Sequence, residues 1–279
     1  MMNTALDKKR FGPWALVTGA SSGIGKEFAR QIAASGINVV LVARRRPLLE
    51  ELGRSLAQEH RIDYRVVEAD CAKSDLVSKL AEATDDLDIG LVVSNAGTAS
   101  PGSFLHRDRA SMLELIRLNA LSHFEIAHYF GERLARRGRG GLLLSGAMGA
   151  MIGLPYMAAE SPSKAFVQTL GEVLHVEFAP LGLNVTVLVI APTETAVISK
   201  IGIDHQSMPT KQARMERMPV EQCVGEGLAA LVENRSTHIP GRANRIANAI
   251  VPTSVARNFM GKMLGAAVAA KAGAGVKSR

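Results

Sequence analysis

The chain has 279 residues, 47% of them hydrophobic, and a formal net charge of +7 at pH 7. A chain of this length and composition can bury a large core, which excludes a disordered or fibrous protein. Aromatic residues make up only 4% of the chain and do not interleave with the basic clusters, so the sequence argues against nucleic-acid binding. No signal-like apolar stretch follows the basic start, and no run reaches membrane-spanning length. We therefore expect a cytoplasmic protein, with a membrane-surface role disfavoured.

The two cysteines, Cys71 and Cys223, have no spacing typical of a metal site or of a disulfide framework. They predict free thiols in a reducing compartment. We expect no metal.

Six apolar runs of strand length alternate with segments whose apolar residues recur at helical spacing. In chain order the runs are WALVTGA, NVVLVAR, YRVVEAD, DIGLVVSNAG, GGLLLSG and NVTVLVIAP. Runs that are apolar on both faces are typical of a parallel sheet buried between two layers of helices. The sequence predicts a doubly wound, mostly parallel α/β sheet of the Rossmann type in a single domain.

The predicted domain covers residues 14–250, with residues 1–13 as an amino-terminal extension. A Met-rich, apolar segment over about 192–220 is interpreted as a lid on an apolar substrate pocket, although an ordinary surface helix pair explains it almost as well. Residues 251–279 form a basic, amphipathic carboxy-terminal extension. This extension can enlarge a subunit interface or rest on a membrane surface, and we favour the interface.

The stretch TGASSGIG, from Thr18 to Gly25, follows the first strand and opens the first long helix. Its glycines allow a tight turn and a close approach of a pyrophosphate to the free N–H groups of the helix. The candidate binding residues of this turn are Gly19, Ser21, Ser22, Gly23, Ile24 and Gly25.

The end of the second strand chooses between the two nicotinamide cofactors. An acid there would hold a free ribose 2′-hydroxyl, but this chain has Ala43 followed by Arg44. An arginine pairs well with a 2′-phosphate, so the sequence favours NADP(H). The other interpretation of Arg44 is a solvated helix start.

With these motifs in view, the chain resembles the short-chain dehydrogenase/reductase family over about residues 12 to 245. TGASSGIG is similar to the family's cofactor motif, SNAG to its NNAG, LLLSGAMG to its serine-bearing strand and APTETA to the loop beside the carboxamide. The resemblance implies hydride transfer between NADP(H) and a carbonyl or alcohol. It implies further cofactor contacts from Asp70, Cys71, Asn95, Ala96, Gly97, Lys164, Pro192, Thr193 and Thr195, and catalytic positions at Asn119, Ser145, Glu160 and Lys164.

One departure from the family concerns its general acid, the tyrosine of Tyr-x-x-x-Lys. In AAESPSKAF that position is Glu160, four residues before Lys164. A carboxylic acid has a reference pKa of about 4.3, against about 10 for a phenol, so it donates a proton poorly at neutral pH. The sequence also predicts that Ser161 caps a helix whose first residue is Pro162, which would leave Glu160 outside that helix. We therefore favour a surface or structural carboxylate over a chemically active one.

The serine position departs as well, because Gly146 and Ala147 follow Ser145 where the family has a second serine. Ser145 is interpreted as shifted into that role. Tyr156 is the nearest replacement phenol, although pocket lining is the favoured interpretation for it. The YFGER stretch from Tyr129 to Arg133 mimics the family motif but falls in a helix, where packing is the better explanation.

Three functional classes stay open at this point. An NADP(H)-dependent oxidoreductase with an atypical proton relay is favoured. A lyase, isomerase or dehydratase that uses Glu160 as a base, and a cofactor-binding protein without turnover, are the alternatives. The substrate is expected to be a small apolar molecule. The resemblance also implies a homodimer or homotetramer built on the two helices that contain LIRLNALSHF and PSKAFVQTL.

Overall fold

The computed structural model describes residues 6–191, residue 193 and residues 218–276, with side chains described as far as residue 270. Its parallel strands form one sheet in the order β3-β2-β1-β4-β5-β6-β7. The strands are β1 Trp14–Thr18, β2 Asn38–Ala43, β3 Tyr64–Glu68, β4 Ile89–Ser94, β5 Gly140–Ala147, β6 Leu183–Ile190 and β7 Thr237–His238. The six predicted strands are confirmed. The seventh was missed because two residues carry no apolar run.

The helices cover both faces of this sheet. In chain order they are α1 Lys8–Phe11, α2 Gly23–Ala34, α3 Arg46–His60, α4 Leu76–Thr84, α5 Arg109–Ile116, α6 Ser122–Arg137, α7 Glu160–Phe178, α8 Val220–Val232, α9 Arg242–Ile250 and α10 Thr253–Val276. Buried side chains of α1, α2, α3 and α8 form one core, and those of α4, α6 and α7 form the other. The doubly wound α/β fold is therefore confirmed.

Strand β4 shows why the predicted runs are apolar on both faces. All six of its residues are buried. Leu91 and Val93 belong to one core, whereas Val92 belongs to the other. Successive side chains point to opposite faces of a strand, so a sheet covered on both sides favours apolar residues on both faces of its strands.

Residues 6–13, the part of the amino-terminal extension that the structure describes, pack against the folded core. Phe11 is 1% exposed, and a Cβ on Gly141 would lie 2.9 Å from its ring. Arg10 donates a hydrogen bond of 2.6 Å to Asn184. The boundary predicted at residue 13 therefore does not separate a loose segment from the domain.

The predicted lid falls mainly on residues 192 and 194–217, which lie outside the described residues. Thr193 and Met218 form an isolated parallel bridge. Within the described part of the chain, no helix is long and apolar enough to cross a bilayer.

Candidate active site

The carboxyl ends of β1 and β4 meet where the strand order changes direction, the usual position of a ligand site in such sheets. Thr18, at the end of β1, joins the two strands. Its hydroxyl accepts hydrogen bonds from the backbone N–H groups of Asn95 at 2.9 Å and Ala96 at 3.0 Å. The Asn95 side chain returns a bond of 3.1 Å to the Thr18 carbonyl. The segment Asn95–Ala96 is thereby fixed beside the glycine-rich turn.

The glycine-rich turn has the backbone geometry expected of a phosphate cradle. Gly19 has a φ of +70° and Gly23 a φ of +54°, values that favour glycine. A Cβ on Gly25 would collide with the Gly19 carbonyl oxygen. Ser22 precedes α2 without capping it through its side chain. The N–H groups of the first helical turn therefore have no side-chain acceptor from Ser22 and can face an anion.

Arg45 lies against this turn and was not singled out by the sequence. Its guanidinium donates to the hydroxyls of Ser21 at 2.9 Å and Ser22 at 3.1 Å. Arg44 is exposed. Its positive charge lies close enough to Cys71 to lower the pKa of that thiol, although burial and Asp70 raise that pKa by more. Two arginines therefore stand near the predicted dinucleotide site, one at the phosphate turn and one near Cys71.

Asp70 and Cys71 follow β3 at the same edge of the sheet. The Asp70 carboxylate accepts a hydrogen bond of 3.0 Å from the backbone N–H of Ala72. Burial raises the pKa of the Cys71 thiol to about 12, and the charge of Asp70 adds to the rise. Burial likewise raises the pKa of Cys223 to about 11. Both thiols are free, buried and protonated, as structural cysteines are.

Asn119 is held by a π-helical turn, Arg117–Leu121, between α5 and α6. Such turns are frequent at functional sites. Its side chain clamps the backbone of Thr98, accepting from the N–H at 3.0 Å and donating to the carbonyl at 2.8 Å. A Cβ on Gly97 would lie 3.0 Å from the Asn119 amide oxygen and 3.2 Å from Lys164 Nζ. Because residue 97 is a glycine, the side chains of Asn119 and Lys164 can both approach its backbone.

Lys164 and Ser145 complete this cluster. Lys164 Nζ donates a hydrogen bond of 2.7 Å to the backbone carbonyl of Ser145. The Ser145 hydroxyl donates at 3.1 Å to the amide oxygen of Asn95. Burial lowers the pKa of Lys164 to about 8, because a desolvated ammonium is less stable than a hydrated one.

Glu160 is 3% exposed, so the surface part of the prediction for this residue is wrong. Its carboxylate accepts a hydrogen bond of 2.8 Å from the backbone N–H of Ser100. Both of its oxygens lie 3.3 Å from one guanidinium nitrogen of Arg107. Lys164 donates instead to the Ser145 carbonyl. Glu160 therefore ties the 98–107 loop to the start of α7.

The expected start of α7 is also wrong. Glu160 is the first helical residue, after Ala159. Ser161 does not cap the helix, because its hydroxyl donates to the Gly149 carbonyl at 2.8 Å and accepts from the Leu154 N–H at 3.1 Å. Pro162 still lies in the first turn, where a missing N–H costs no helical hydrogen bond.

Tyr156 lies in the loop before α7 with a φ of +63°, an unusual conformation for a residue with a side chain. Its backbone carbonyl accepts a hydrogen bond of 2.8 Å from the Gly102 N–H. A Cβ on Gly265 of α10 would lie 3.0 Å from its ring. Tyr156 thus links the two loops beside Glu160 to the carboxy-terminal helix.

A buried Ser94–His123 pair lies behind the site and was also missed. The Ser94 hydroxyl and His123 Nδ1 are 2.8 Å apart, and Nε2 has no hydrogen-bond partner among the described residues. Burial lowers the pKa of His123 well below its usual value, and the charge of Lys164 lowers it further. The only signal in the sequence is that His123 follows Asn119 by one helical turn.

Two of the predicted contacts, Pro192 and Thr195, lie outside the described residues. Thr193 is described and buried, and its hydroxyl donates to the Ala191 carbonyl at 2.7 Å. No cluster of three metal-binding side chains occurs in the described ranges 6–191, 193 and 218–276.

The profile of the short chain dehydrogenase family matches residues 13–206 of this chain. The chain belongs to that family. The glycine turn, Asn95, Asn119, Ser145 and Lys164 described above all lie within the matched range.

Individual relatives agree with this assignment. A very-long-chain 3-oxoacyl-CoA reductase from Meyerozyma guilliermondii is 33% identical over 217 residues, covering 72% of this chain and 62% of that protein. This chain thus spans about three fifths of such a reductase. A 7beta-hydroxysteroid dehydrogenase from Clostridium sardiniense is 29% identical over 238 residues, covering 85% of this chain and 89% of that protein. A short-chain dehydrogenase from Sphingobium yanoikuyae, solved in complex with NADPH, superposes with a TM-score of 0.77 at 28% identity, covering 89% and 94% of the two chains.

Proposed function

We propose that this protein is an NADP(H)-dependent oxidoreductase that interconverts a carbonyl and an alcohol on an apolar substrate. The observation that carries the proposal is the convergence of the glycine turn, Asn119 and Lys164 at the β1–β4 edge. Gly97 brings the last two within contact distance of one backbone position. The relatives named above are a reductase and a dehydrogenase.

The residues at the β1–β4 edge of the sheet fit NADP(H). The bare backbone at Gly19 and Gly25 and the start of α2 suit a pyrophosphate. Arg45 lies at this turn, and Arg44 stands where a 2′-phosphate would distinguish NADP(H) from NAD(H). When bound, NADP(H) supplies or accepts the hydride. Asn95 and Lys164 are the chain's own groups for holding its nicotinamide half.

The relay of protons in this site differs from that of the family. Glu160 is engaged by Arg107 and the Ser100 N–H, so it does not replace the tyrosine as a donor. The pKa of Lys164, about 8, lies close to neutral pH. Such a pKa suits general acid–base catalysis at neutral pH. We assign to the Lys164 ammonium the task of protonating the substrate oxygen during reduction.

An apolar substrate is supported by the two loops that flank Glu160. Phe104 is 61% exposed and Leu105 85% exposed on one loop, while Met151 is 44% and Tyr156 38% exposed on the other. The Gly102–Tyr156 hydrogen bond joins these loops. The named relatives act on a very-long-chain 3-oxoacyl-CoA and a hydroxysteroid, both of which carry large apolar parts.

We also propose that the protein forms a homodimer or homotetramer in the cytoplasm. The outer face of α6 and α7 exposes Phe124, Phe166, Val173 and Val176, and the rings of Phe124 and Phe166 are 6.5 Å apart. Exposed apolar patches of this kind are typical of subunit interfaces. The free buried thiols Cys71 and Cys223 suit a reducing compartment.

Cofactor titration tests this proposal. We expect NADPH to bind more tightly than NADH, and Arg44→Ala to remove most of the difference, about tenfold for one lost charge-assisted contact. Arg46→Ala is the matched control, because Arg46 pairs with Glu50 at 3.1 Å and should leave both affinities unchanged. Equal affinity for both cofactors in the unmodified protein would refute NADP(H) specificity. Tight NADPH binding without NADPH oxidation across a panel of apolar ketones would instead support the non-turnover alternative.

A further inference from the structure

The carboxy-terminal helix α10 presents two different faces. One face packs on the loop that precedes α7. Arg257 donates a hydrogen bond of 2.6 Å to the Ile152 carbonyl, and Leu264 is 2% exposed. Positions 261 and 265 are glycines whose added Cβ atoms would touch Pro155 and Tyr156. Residues 257, 261, 264 and 265 lie on one stripe of a helix, so this face is already covered.

The opposite face of α10 is apolar and uncovered in the protein by itself. Val255 is 56% exposed and Phe259 43% exposed. Ala266 and Ala270 continue the same stripe and are also exposed, and the exposed Lys262 lies on it between Phe259 and Ala266. The preceding helix α9 also exposes Ile246, at 49%, and Ile250, at 71%. Large apolar side chains rarely stand in water along two consecutive helices without a partner surface.

The charge of residues 234–279 indicates what kind of surface covers this apolar face. Residues 234–279 contain eight basic and no acidic residues, whereas residues 1–233 contain 25 basic and 26 acidic residues. The whole net positive charge of the protein therefore belongs to its last 46 residues. Arg242 and Lys262 are exposed on α9 and α10, and neither has an acidic partner within 4 Å among the described residues. A second copy placed on the same face would oppose one strongly positive segment to another.

The sequence alone favoured a subunit interface for the carboxy-terminal extension, but the charge of residues 234–279 argues against a second copy on this face. We propose that α9 and α10 dock the protein on an anionic lipid bilayer. Ile246, Ile250, Val255 and Phe259 enter the boundary between headgroups and acyl chains, and the surrounding basic residues face the anionic headgroups. This combination of an apolar face with a basic surround is how amphipathic helices bind a membrane surface without crossing it.

The docking surface lies next to the candidate active site. The inner face of α10 touches Pro155 and Tyr156, and the loop that contains them leads into α7. On the proposed function, this arrangement holds the substrate loops at the bilayer, where apolar substrates concentrate. The docking itself does not depend on turnover and is measured separately from it.

Vesicle flotation of the full-length protein tests the proposal. We expect binding to vesicles of phosphatidylcholine and phosphatidylglycerol in equal parts, little binding to phosphatidylcholine alone, and loss of binding as salt screens the charges. The double variant Val255→Glu and Phe259→Glu should bind at least about tenfold more weakly, because it removes buried apolar area and adds repulsion. Circular dichroism of each variant verifies that it is folded.

Leu181→Glu is the matched control. Leu181 is 44% exposed in the 3-10 turn that follows α7, so this change adds one of the two negative charges of the double variant away from the docking surface, and vesicle binding should persist. No flotation with anionic vesicles, or equal flotation of the double variant and the unmodified protein, would overturn the proposal. A double variant that loses mass in light scattering but keeps vesicle binding would assign the face to a second copy of the chain instead.

Discussion

At the residue scale, the carboxylate of Glu160 makes an ion pair that a neutral tyrosine at this position could not make. It accepts from the Ser100 N–H and pairs with Arg107, whose side chain is 13% exposed. A buried carboxylate is tolerated when it is paired and hydrogen-bonded, and removing one partner leaves an uncompensated charge. The same contacts hold the 98–107 loop, which Asn119 also clamps through Thr98.

The Arg107–Glu160 pair predicts strong coupling in stability. Arg107→Leu should lower the free energy of unfolding by about 3 kcal/mol, because it leaves the carboxylate buried without a cation. Glu160→Gln keeps an acceptor for the Ser100 N–H but strands the guanidinium. The double variant should be destabilised by less than the sum of the two single changes. Urea unfolding measures all three, and additive effects would show that the two groups do not interact.

Lys164 predicts the pH dependence of turnover. If its ammonium donates the proton, carbonyl reduction should fall as the pH rises through about 8, where Lys164 loses its charge. Lys164→Arg keeps a positive charge but cannot release its proton, so it should lower turnover by about 10²- to 10⁴-fold. The rate of NADPH oxidation against pH is the measurement. Glu160→Gln should leave unchanged the pH at which NADPH oxidation falls. If that pH shifted in this variant, Glu160 and not Lys164 would be assigned as the proton donor.

At the element scale, Glu226 of α8 ties β7 and α9 together. Its carboxylate lies 2.9 Å from His238 Nε2 and accepts hydrogen bonds of 3.0 Å from the Gly241 N–H and from Arg245. Burial raises its pKa, but the hydrogen bonds from Gln222, Gly241, His238 and Arg245 outweigh burial and lower it to about 2. The short strand β7 is therefore held at its carboxyl end by one side chain.

Glu226 predicts an acid-sensitive contribution to stability. Because its pKa in the folded protein lies below the ordinary value of 4.5, the contribution is present above pH 4.5 and is lost as the pH falls toward 2. Glu226→Gln should cost about 1 to 2 kcal/mol at pH 7, after allowance for partial solvent screening. Urea unfolding at pH 7 and pH 3 measures this. A variant that shows the same loss between these pH values as the unmodified protein would contradict the assignment.

At the scale of the whole molecule, the apolar outer face of α6 and α7 predicts self-association. Light scattering at micromolar concentration should give at least the mass of a dimer. Phe124→Glu with Phe166→Glu should give a monomer, because charge would enter the centre of the patch. Leu105→Glu, at an 85% exposed loop position, is a control that should leave the mass unchanged. A monomer in the unmodified protein would refute this interface.

The sequence by itself determined the sheet, because strands buried on both faces carry apolar residues on both sides, as Leu91, Val92 and Val93 do in β4. It also determined the glycine-rich turn, since the φ values of Gly19 and Gly23 favour glycine. Local sequence signals could not reveal contacts between distant parts of the chain. Glu160 and Arg107 are separated by 53 positions, and Arg45 reaches Ser21 across 24 positions. Only the tertiary structure decided which of these side chains meet, because a buried charge takes whichever partner the packing of loops and helices provides.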